Sequence, residues 1–300
     1  MSISFAIAKH LYPLPECPPR RTKELQVIAL GLPRSGTESL HKALLELGYS
    51  RVSHGFDWHF NNIQSSPLYY ELAILRSQNR LPDRETLRTK YFDRILADYE
   101  ATTDIPTVWF AEELLLAYPN AKVVLNRRQD VTAWKKSFEG SVLPMMRSWS
   151  YWFYSWFQAE TYWVVALTLW LHGKVLFRND FEQEAERAYV EHYERLEEVL
   201  RSEQREFLRW GVEDGWYVAK PALAAFEDSL LIMHREPLCK FIGKPVPNMP
   251  FPNGNIASEF GPKLMTVDEE RFRRARRNAV KVGAVFAAVV GVGMYGLMWR

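Results

Sequence analysis

The feature that most constrains this chain is a buried strand that runs into a glycine-bounded loop and then a helix. Residues 25–31 (LQVIALG) are apolar and β-branched, which predicts a parallel strand covered on both faces. The loop GLPRSGTES follows, and the leucines of ESLHKALLELGY then recur at helical spacing. Because free backbone N–H groups at a helix N-terminus attract anions, this order predicts an anion-binding loop.

A second set of strand and helix signals lies downstream. Residues 111–118 predict a helix, residues 122–126 (KVVLN) a short buried strand, and residues 130–138 the start of another helix. Residues 49–52 predict a further strand, and residues 182–204 an amphipathic surface helix. Strands separated by helices are typical of a parallel sheet covered on both faces. We therefore predict an α/β fold with a three-layer, P-loop-type sheet.

The residue types in the loop favour a strongly charged ligand over an ordinary strand-to-helix turn. Gly31 and Gly36 permit a tight turn and a close backbone approach. Arg34 offers a planar guanidinium to phosphate or sulfate oxygens, and the loop hydroxyls add donors. The candidate binding residues are Gly31, Leu32, Pro33, Arg34, Ser35, Gly36, Thr37, Glu38 and Ser39.

The loop lacks the parts of a metal-dependent nucleotide site. A Walker A loop has Lys after its second glycine, whereas Gly36 is followed by Thr37 and Glu38. The strand at 122–126 ends in Asn-Arg-Arg rather than in an Asp that could help to hold Mg²⁺. No His, Cys, Asp or Glu cluster has metal-ligand spacing. These observations disfavour a nucleotide kinase and predict that no metal is bound.

Four segments, in this order, resemble the sulfotransferase-like P-loop family that is common in fungi. They are GLPRSGT, KVVLNRRQDVTAWKKS at 122–137, DGW at 214–216 and EPLCKFIGKPVPNMPFPNGN at 236–255. The resemblance implies the donor 3′-phosphoadenosine-5′-phosphosulfate (PAPS), with its phosphosulfate on residues 31–39. It also implies that an Arg and a Ser hold the 3′-phosphate, which we assign to Arg128 and Ser137. The family's spacing would place that Arg at Gln129.

The implied reaction moves a sulfuryl group from PAPS to a hydroxyl or amine acceptor. Such a transfer depends on positioning and on charge stabilisation, and Arg34 is expected to neutralise the leaving phosphate. His54, which follows the predicted strand at 49–52, is the first candidate for the base, and Asp104 is the second. Weaker candidates are His59, Asp57 and Glu112. The alternative is a non-catalytic nucleotide-binding or scaffold protein on the same fold, which Gln129 favours.

Residues 217–235 interrupt the family pattern, in which DGW runs directly into EPLCKFLG. One interpretation is a retained intron, because the codons for Trp-Tyr-Val and His-Arg-Glu can contain splice signals that rejoin in frame. The other interpretation is a surface loop, which folded proteins tolerate well.

The C-terminal residues 282–299 carry no charged side chain and predict a transmembrane helix. Eighteen residues span about 27 Å as a helix, close to the hydrocarbon thickness of about 30 Å. Basic residues crowd positions 271–281 and are expected to stay on the cytosolic side. The alternative is a buried core helix. We predict a tail-anchored, single-pass protein of the ER or the mitochondrial outer membrane, with a cytosolic active site.

Composition agrees with one globular domain attached to this tail. The chain has 300 residues, of which 25% are charged, and a net charge of +2, which argues against a nucleic-acid partner. Two cysteines suggest a reducing compartment. We predict an N-terminal extension at 1–24, a catalytic domain at 25–262, a basic segment at 263–281 and the membrane helix at 282–299. The tryptophan-rich stretch at 142–177 predicts a mostly buried helical pair, and the alternative is a lid or flank that dips into a membrane interface. The stretch also suggests a small, apolar acceptor.

Overall fold

The computed structural model describes residues 5–216, 238–252, 254 and 257–298, with the backbone alone at 257–267, 291–293 and 295–298. The predicted insertion at 217–235 lies outside these residues. Within them, five strands form one parallel sheet: β1 (Val27–Ala29), β2 (Val52–Ser53), β3 (Ala101–Thr102), β4 (Lys122–Asn126) and β5 (Phe207–Trp210). Their spatial order is β2-β3-β1-β4-β5.

The strand order places the loop after β1 at the middle of the sheet. β1 pairs with β3 on one side, where Val27 is opposite Ala101, and with β4 on the other, where Val27 is opposite Lys122. The chain therefore runs first towards the β2 edge and later towards the β5 edge. Ligand sites of open parallel sheets form at such a reversal, outside the carboxyl ends of the strands.

Helices cover both faces of the sheet, so the predicted α/β fold is confirmed. The α-helices are α1 (Phe5–Leu11), α2 (Thr37–Glu46), α3 (Gly55–Asn61), α4 (Ser66–Ser77), α5 (Arg84–Thr86), α6 (Asp93–Ile95), α7 (Ala111–Ala117), α8 (Val131–Glu139), α9 (Val142–Arg147), α10 (Trp149–Ser155), α11 (Ala159–Thr168), α12 (Phe181–Ser202), α13 (Leu238–Ile242) and α14 (Ala257–Met298). Short 3₁₀ segments lie at Ile63–Ser65, Thr107–Phe110 and Val212–Asp214, and π-helical segments at Leu87–Phe92 and Leu169–Leu176.

Alternate strand residues divide the core into two layers. Ile28 and Leu125 point into the larger cluster, which α12 and the helices from α4 to α11 complete. Val27 and Val124 point to the opposite face, beneath α2 and α13. Because neighbouring residues of a strand face opposite sides, both layers can be built from the same short apolar runs.

The predicted helical pair at 142–177 is wrong in detail, because internal caps divide the stretch into α9, α10, α11 and a π-helical segment. The Ser148 hydroxyl accepts the N–H of Tyr151, and the Gln158 side chain accepts the N–H of Thr161. Both contacts start a new helix by satisfying free N–H groups. Only part of the stretch is buried, since Trp163 is fully enclosed whereas Trp149 is 72% exposed.

Helix α14 leaves the domain from a buried polar contact. Its Asp268 and Arg271 are buried and contact His59 of α3, with Asp268 Oδ1 3.0 Å from His59 Nε2. Among the residues that the structure describes, no helix is both long and apolar enough to cross a membrane. The predicted span at 282–299 therefore gains no support from the described residues, and its side chains at 291–293 and from 295 onward lie outside them.

Candidate active site

A buried asparagine fastens the loop after β1 to the end of β4. The Gly31 N–H donates to Asn126 Oδ1 over 2.9 Å, and Asn126 Nδ2 donates to the Ser35 carbonyl over 3.1 Å. A Cβ on residue 31 would lie 2.1 Å from Asn126 Nδ2, so this approach requires glycine. One signal in the sequence points to this role: an Asn stands at the strand end where a Walker B strand carries Asp.

Two tyrosines of α12 support the same loop from behind. The Tyr193 hydroxyl accepts the Leu32 N–H over 3.3 Å and donates to the Asn126 carbonyl over 2.8 Å. The Ser35 hydroxyl is buried and lies 3.4 Å from the Tyr189 hydroxyl. The Ser35 side chain is therefore part of the support of the loop, and its hydroxyl faces α12.

The other side of the loop forms a wall of an open pocket of about 1000 Å³. Gly36, with φ of 76°, precedes α2, and a Cβ there would lie 2.2 Å from Val212 Cγ2. The predicted binding residues that line this pocket are Arg34, Gly36, Thr37, Glu38, Ser39, Arg128 and Ser137. The pocket thus combines the N-terminus of α2 with residues that follow β4, as an anion site at this edge requires.

Three cationic side chains line the pocket: Arg34, Arg128 and Lys136. The Arg34 Nε donates to Ser137 Oγ over 3.2 Å. Burial lowers the pKa of Arg34, and the nearby Asp104 opposes that shift, while an arginine in a protein stays protonated. The pocket therefore offers a desolvated guanidinium beside two more exposed cations.

Carboxylates also reach the pocket, but two of the three serve local contacts. Glu38 pairs with Lys42 over 3.5 Å, one turn further along α2. Asp130 accepts the Ala133 N–H over 2.9 Å and so caps α8. The third carboxylate is that of Glu213.

Sequence reasoning missed several residues of this pocket. Lys136 lies one residue before Ser137, and Val212 and Glu213 lie just before the DGW segment. The N–H of Gly254, from the last motif segment, donates to Ser39 Oγ over 3.0 Å. These residues were inside or beside the recognised motifs, but only the fold brings the motifs together.

The two candidate bases form a buried pair beside the loop, where His54 contacts Thr37. His54 Nε2 lies 3.3 Å from Asp104 Oδ2 and 3.3 Å from Thr37 Oγ1. The Phe56 N–H donates to His54 Nδ1 over 3.1 Å, so in the neutral imidazole the proton belongs on Nε2. Burial raises the pKa of Asp104 to about 7. The N–H groups of Ile105 and Gly55 and the charge of Arg34 lower that pKa, but by less than burial raises it. The Asp104 carboxyl therefore exchanges its proton close to neutral pH.

The weaker candidates lie in other contacts. His59 is held by Asp268 and Arg271, as described above. Asp57 contacts the Tyr99 hydroxyl, and Glu112 pairs with Arg195. In the part of the chain that the structure describes, no group of three or more His, Cys, Asp or Glu side chains could hold a metal ion.

Comparisons with known proteins identify the family of this chain. The sulfotransferase domain family matches residues 26–219 and 233–260, leaving out a stretch inside the predicted insertion. The chain is also 26% identical over 289 residues to Ava biosynthesis cluster protein M of Aspergillus versicolor, covering 92% of this chain and 96% of that protein. By the extent of the family match, the chain belongs to the sulfotransferase domain family.

Proposed function

We propose that the protein is a PAPS-dependent sulfotransferase that acts on a hydroxyl group of a small molecule. The observation that carries the proposal is the position of the loop at 31–39. On one side lies the open pocket with Arg34, and on the other lies the His54–Asp104 pair. Thr37 belongs to the pocket wall and also contacts His54, so donor and acceptor would meet across it.

The donor would bind with its phosphosulfate at the N-terminus of α2. Backbone N–H groups of Gly36 to Ser39 and the guanidinium of Arg34 supply the positive potential there. Arg128, Lys136 and Ser137 line the same pocket, and we assign the 3′-phosphate to them. This arrangement needs no metal, because Arg34, Arg128 and Lys136 would balance the negative charge of the donor.

The proposed transfer forms one bond to sulfur and breaks another. The acceptor oxygen forms a bond to sulfur, and the bond between sulfur and the bridging oxygen of the 5′-phosphate breaks. Arg34 stabilises the negative charge that develops on that oxygen. The products are a sulfate ester and 3′-phosphoadenosine-5′-phosphate (PAP), and the hydroxyl proton passes to the base.

The hydrogen bonds favour Asp104 over His54 as that base. Since His54 Nδ1 accepts a backbone N–H, its Nε2–H is directed to Asp104 or Thr37 and holds the pair in place. Asp104, with a pKa raised to about 7, can take a proton near neutral pH. We therefore propose that Asp104 accepts the proton and that His54 positions it.

Calorimetry with PAP and PAPS tests the donor assignment. We expect Arg34→Ala to weaken PAP binding at least tenfold, because a desolvated guanidinium is removed from the phosphosulfate position. The matched control is Arg195→Ala, which removes an arginine that pairs with Glu112 on the surface. Unchanged binding in Arg34→Ala would contradict the proposal. Tight binding without transfer to any acceptor would favour the non-catalytic alternative.

We propose separately that α14 holds the chain at a cytosolic membrane surface, in the ER or the mitochondrial outer membrane. Exposed Val285, Phe286 and Val289 support this, as do the basic residues at 273–281 that precede them. The test is flotation with anionic vesicles, comparing the full chain with a chain that ends after Lys281. Carbonate extraction distinguishes a spanning helix from a surface one. Equal recovery of both chains in the unbound fraction would refute the tether.

A further inference from the structure

A narrow apolar cavity begins at the buried pair, on the side of the loop away from the donor pocket. His54 and Asp104 line one end, and Phe56, Trp58 and Val164 form its walls. Its volume is about 50 Å³. Pro33, next to Arg34 in the loop, also lines it, so the cavity and the donor pocket are neighbours.

The cavity shares three lining residues with a second hollow among α9, α10 and α11, and we call the two together the passage. Met145, Val164 and Thr168 line both the cavity and this second hollow of about 10 Å³, which Trp152 also borders. Trp152 is 44% exposed, so the second hollow reaches the outer face of α10. Methionine side chains are unbranched and flexible, so Met145 can move aside for a chain-like ligand.

Thr168 places an unpaired polar atom in this passage. Thr168 is only 3% exposed, and its hydroxyl has no hydrogen-bond partner among the described residues. A buried hydroxyl without a partner destabilises the fold, because it has lost its hydrogen bonds to water. A ligand with a polar atom beside Thr168 would remove that destabilisation.

The charges of the passage select against an anionic ligand. No Lys or Arg is among the described residues that line the two hollows, whereas Asp104 is. Arg34 and Arg271 lie near the passage but are held by other groups: Arg34 interacts with Asp104 and donates to Ser137, and Arg271 is directed to His59 and Asp268. A carboxylate inserted here would lie unpaired in apolar surroundings, which is strongly unfavourable.

We infer that this passage is the acceptor site and that it takes a neutral, slender, apolar alcohol. The inference rests on the proposed function. The hydroxyl lies at the His54–Asp104 pair, a second polar atom faces Thr168, and the apolar part extends past Met145 towards Trp152. Pro33 of the cavity and Arg34 of the donor pocket are consecutive residues, so the acceptor hydroxyl and the donor sulfur would meet beside the loop, as an in-line transfer requires.

Photolabelling tests the site without the donor. The probe is 1-octanol that carries a diazirine on its third carbon, applied to the full chain and followed by peptide mass spectrometry. We expect labels within 142–147 and 159–168, with competition by 1-octanol at least tenfold stronger than by 8-hydroxyoctanoate. Labels scattered over the surface, or equal competition by the two compounds, would overturn the inference.

Substitutions at Thr168 separate a ligand contact from damage to the fold. Thr168→Val is nearly isosteric and removes the hydroxyl, so an alcohol with a second hydroxyl, such as 1,4-octanediol, should bind several-fold more weakly, whereas 1-octanol should bind at least as tightly as before. Thr168→Ser keeps the hydroxyl and should leave both affinities close to the original. Equal effects of Thr168→Val on the two compounds would contradict the position assigned to the second polar atom. Met145→Phe fills the passage from another helix and should reduce labelling.

Transfer assays distinguish the inference from the function on which it rests. With PAPS, the 1-alkanols from hexanol to decanol should yield alkyl sulfates, and the matching hydroxy acids should yield far less. PAPS binding without any alkyl sulfate would overturn the acceptor assignment and leave the donor pocket standing. Absence of PAPS binding would refute the proposed function itself.

Discussion

The two sides of the loop at 31–39 differ in how they are built. The donor side is an open pocket whose cations and helix N-terminus come mostly from two contiguous stretches, 34–39 and 128–137. The acceptor side is a narrow cavity assembled from α3, the segment after β3, α9 and α11. Charged side chains and backbone N–H groups determine what the donor side can bind. On the acceptor side, the packing of apolar side chains determines it.

This difference has a consequence for how each side can change. The proposed phosphosulfate site depends on the type and local order of its side chains, so substitutions there should affect donor binding directly. The acceptor side depends on the shapes of apolar side chains from separate helices, so it can alter its ligand without loss of the loop. The His54–Asp104 pair lies between them and should affect catalysis with little effect on donor affinity.

The largest expected effect is that of Asp104→Asn. Loss of the proton acceptor should reduce kcat by about 10²–10⁴-fold, with PAP affinity unchanged. His54→Gln keeps a side chain that can donate to Asp104 and should reduce kcat less. The measurement is steady-state kinetics together with PAP calorimetry. If His54→Gln were the more damaging change, His54 would be the base and the assignment would be reversed.

Arg34→Ala should come next, with kcat reduced by about 10²–10³-fold because charge on the leaving phosphate is no longer stabilised. PAP binding should weaken as well, whereas photolabelling of the acceptor cavity should persist. Arg34→Lys keeps the charge and should recover part of the rate. Loss of cavity labelling in Arg34→Ala would show that the two sides of the loop are not independent.

A smaller effect is expected from pH. The raised pKa of Asp104, about 7 against an ordinary value of 3.8, means that kcat should rise about tenfold per pH unit below pH 7 and then level off. The free energy of unfolding should instead fall as the pH rises from 3.8 to about 7. In this range the Asp104 carboxyl keeps its proton in the folded chain and loses it in the unfolded chain. Asp104→Asn should therefore unfold at a higher temperature than the natural chain at pH 8, and at nearly the same temperature at pH 4. Equal differences at both pH values would contradict a protonated, buried Asp104.

The smallest expected effect is on the support of the loop. Asn126→Ala removes one acceptor and one donor that hold the loop, which should cost about 1–3 kcal/mol of unfolding free energy. Urea denaturation measures this cost, and Asn61→Ala, on the exposed end of α3, is the control. PAP affinity should fall with the lost stability, whereas cavity labelling should change little. A change in labelling as large as the change in PAP affinity would remove the distinction between the two sides.

Much of the donor side was predictable because its signals are local. An apolar run, two glycines and a helical repeat predict β1, the loop and α2 from adjacent residues. Arg128 and Ser137 were assigned from the resemblance, and they line the same pocket. Ser35 was expected to face the anion, but its hydroxyl faces Tyr189, because whether a loop side chain points outward depends on the helix behind it.

The acceptor side was not predictable in the same way. Val142, Met145 and Thr168 carry no chemical signal, and the stretch that contains them was expected to form a helical pair. Internal caps at Ser148 and Gln158 turned that stretch into shorter helices and opened a passage between them. Such an opening depends on contacts between residues that are far apart in the chain, to which periodicity is not sensitive.

The sequence alone determined the α/β class, the central strand, the anion-binding loop and the residue types that a doubly charged donor requires. These follow from local periodicity, backbone freedom and charge, which act between near neighbours. Only the tertiary structure decided that Asn126 fastens the loop, that Asp104 is buried against His54 and that an apolar passage leads to them. Burial sets the desolvation that raises the pKa of Asp104 and excludes charge from the passage, and burial is a property of the packed chain.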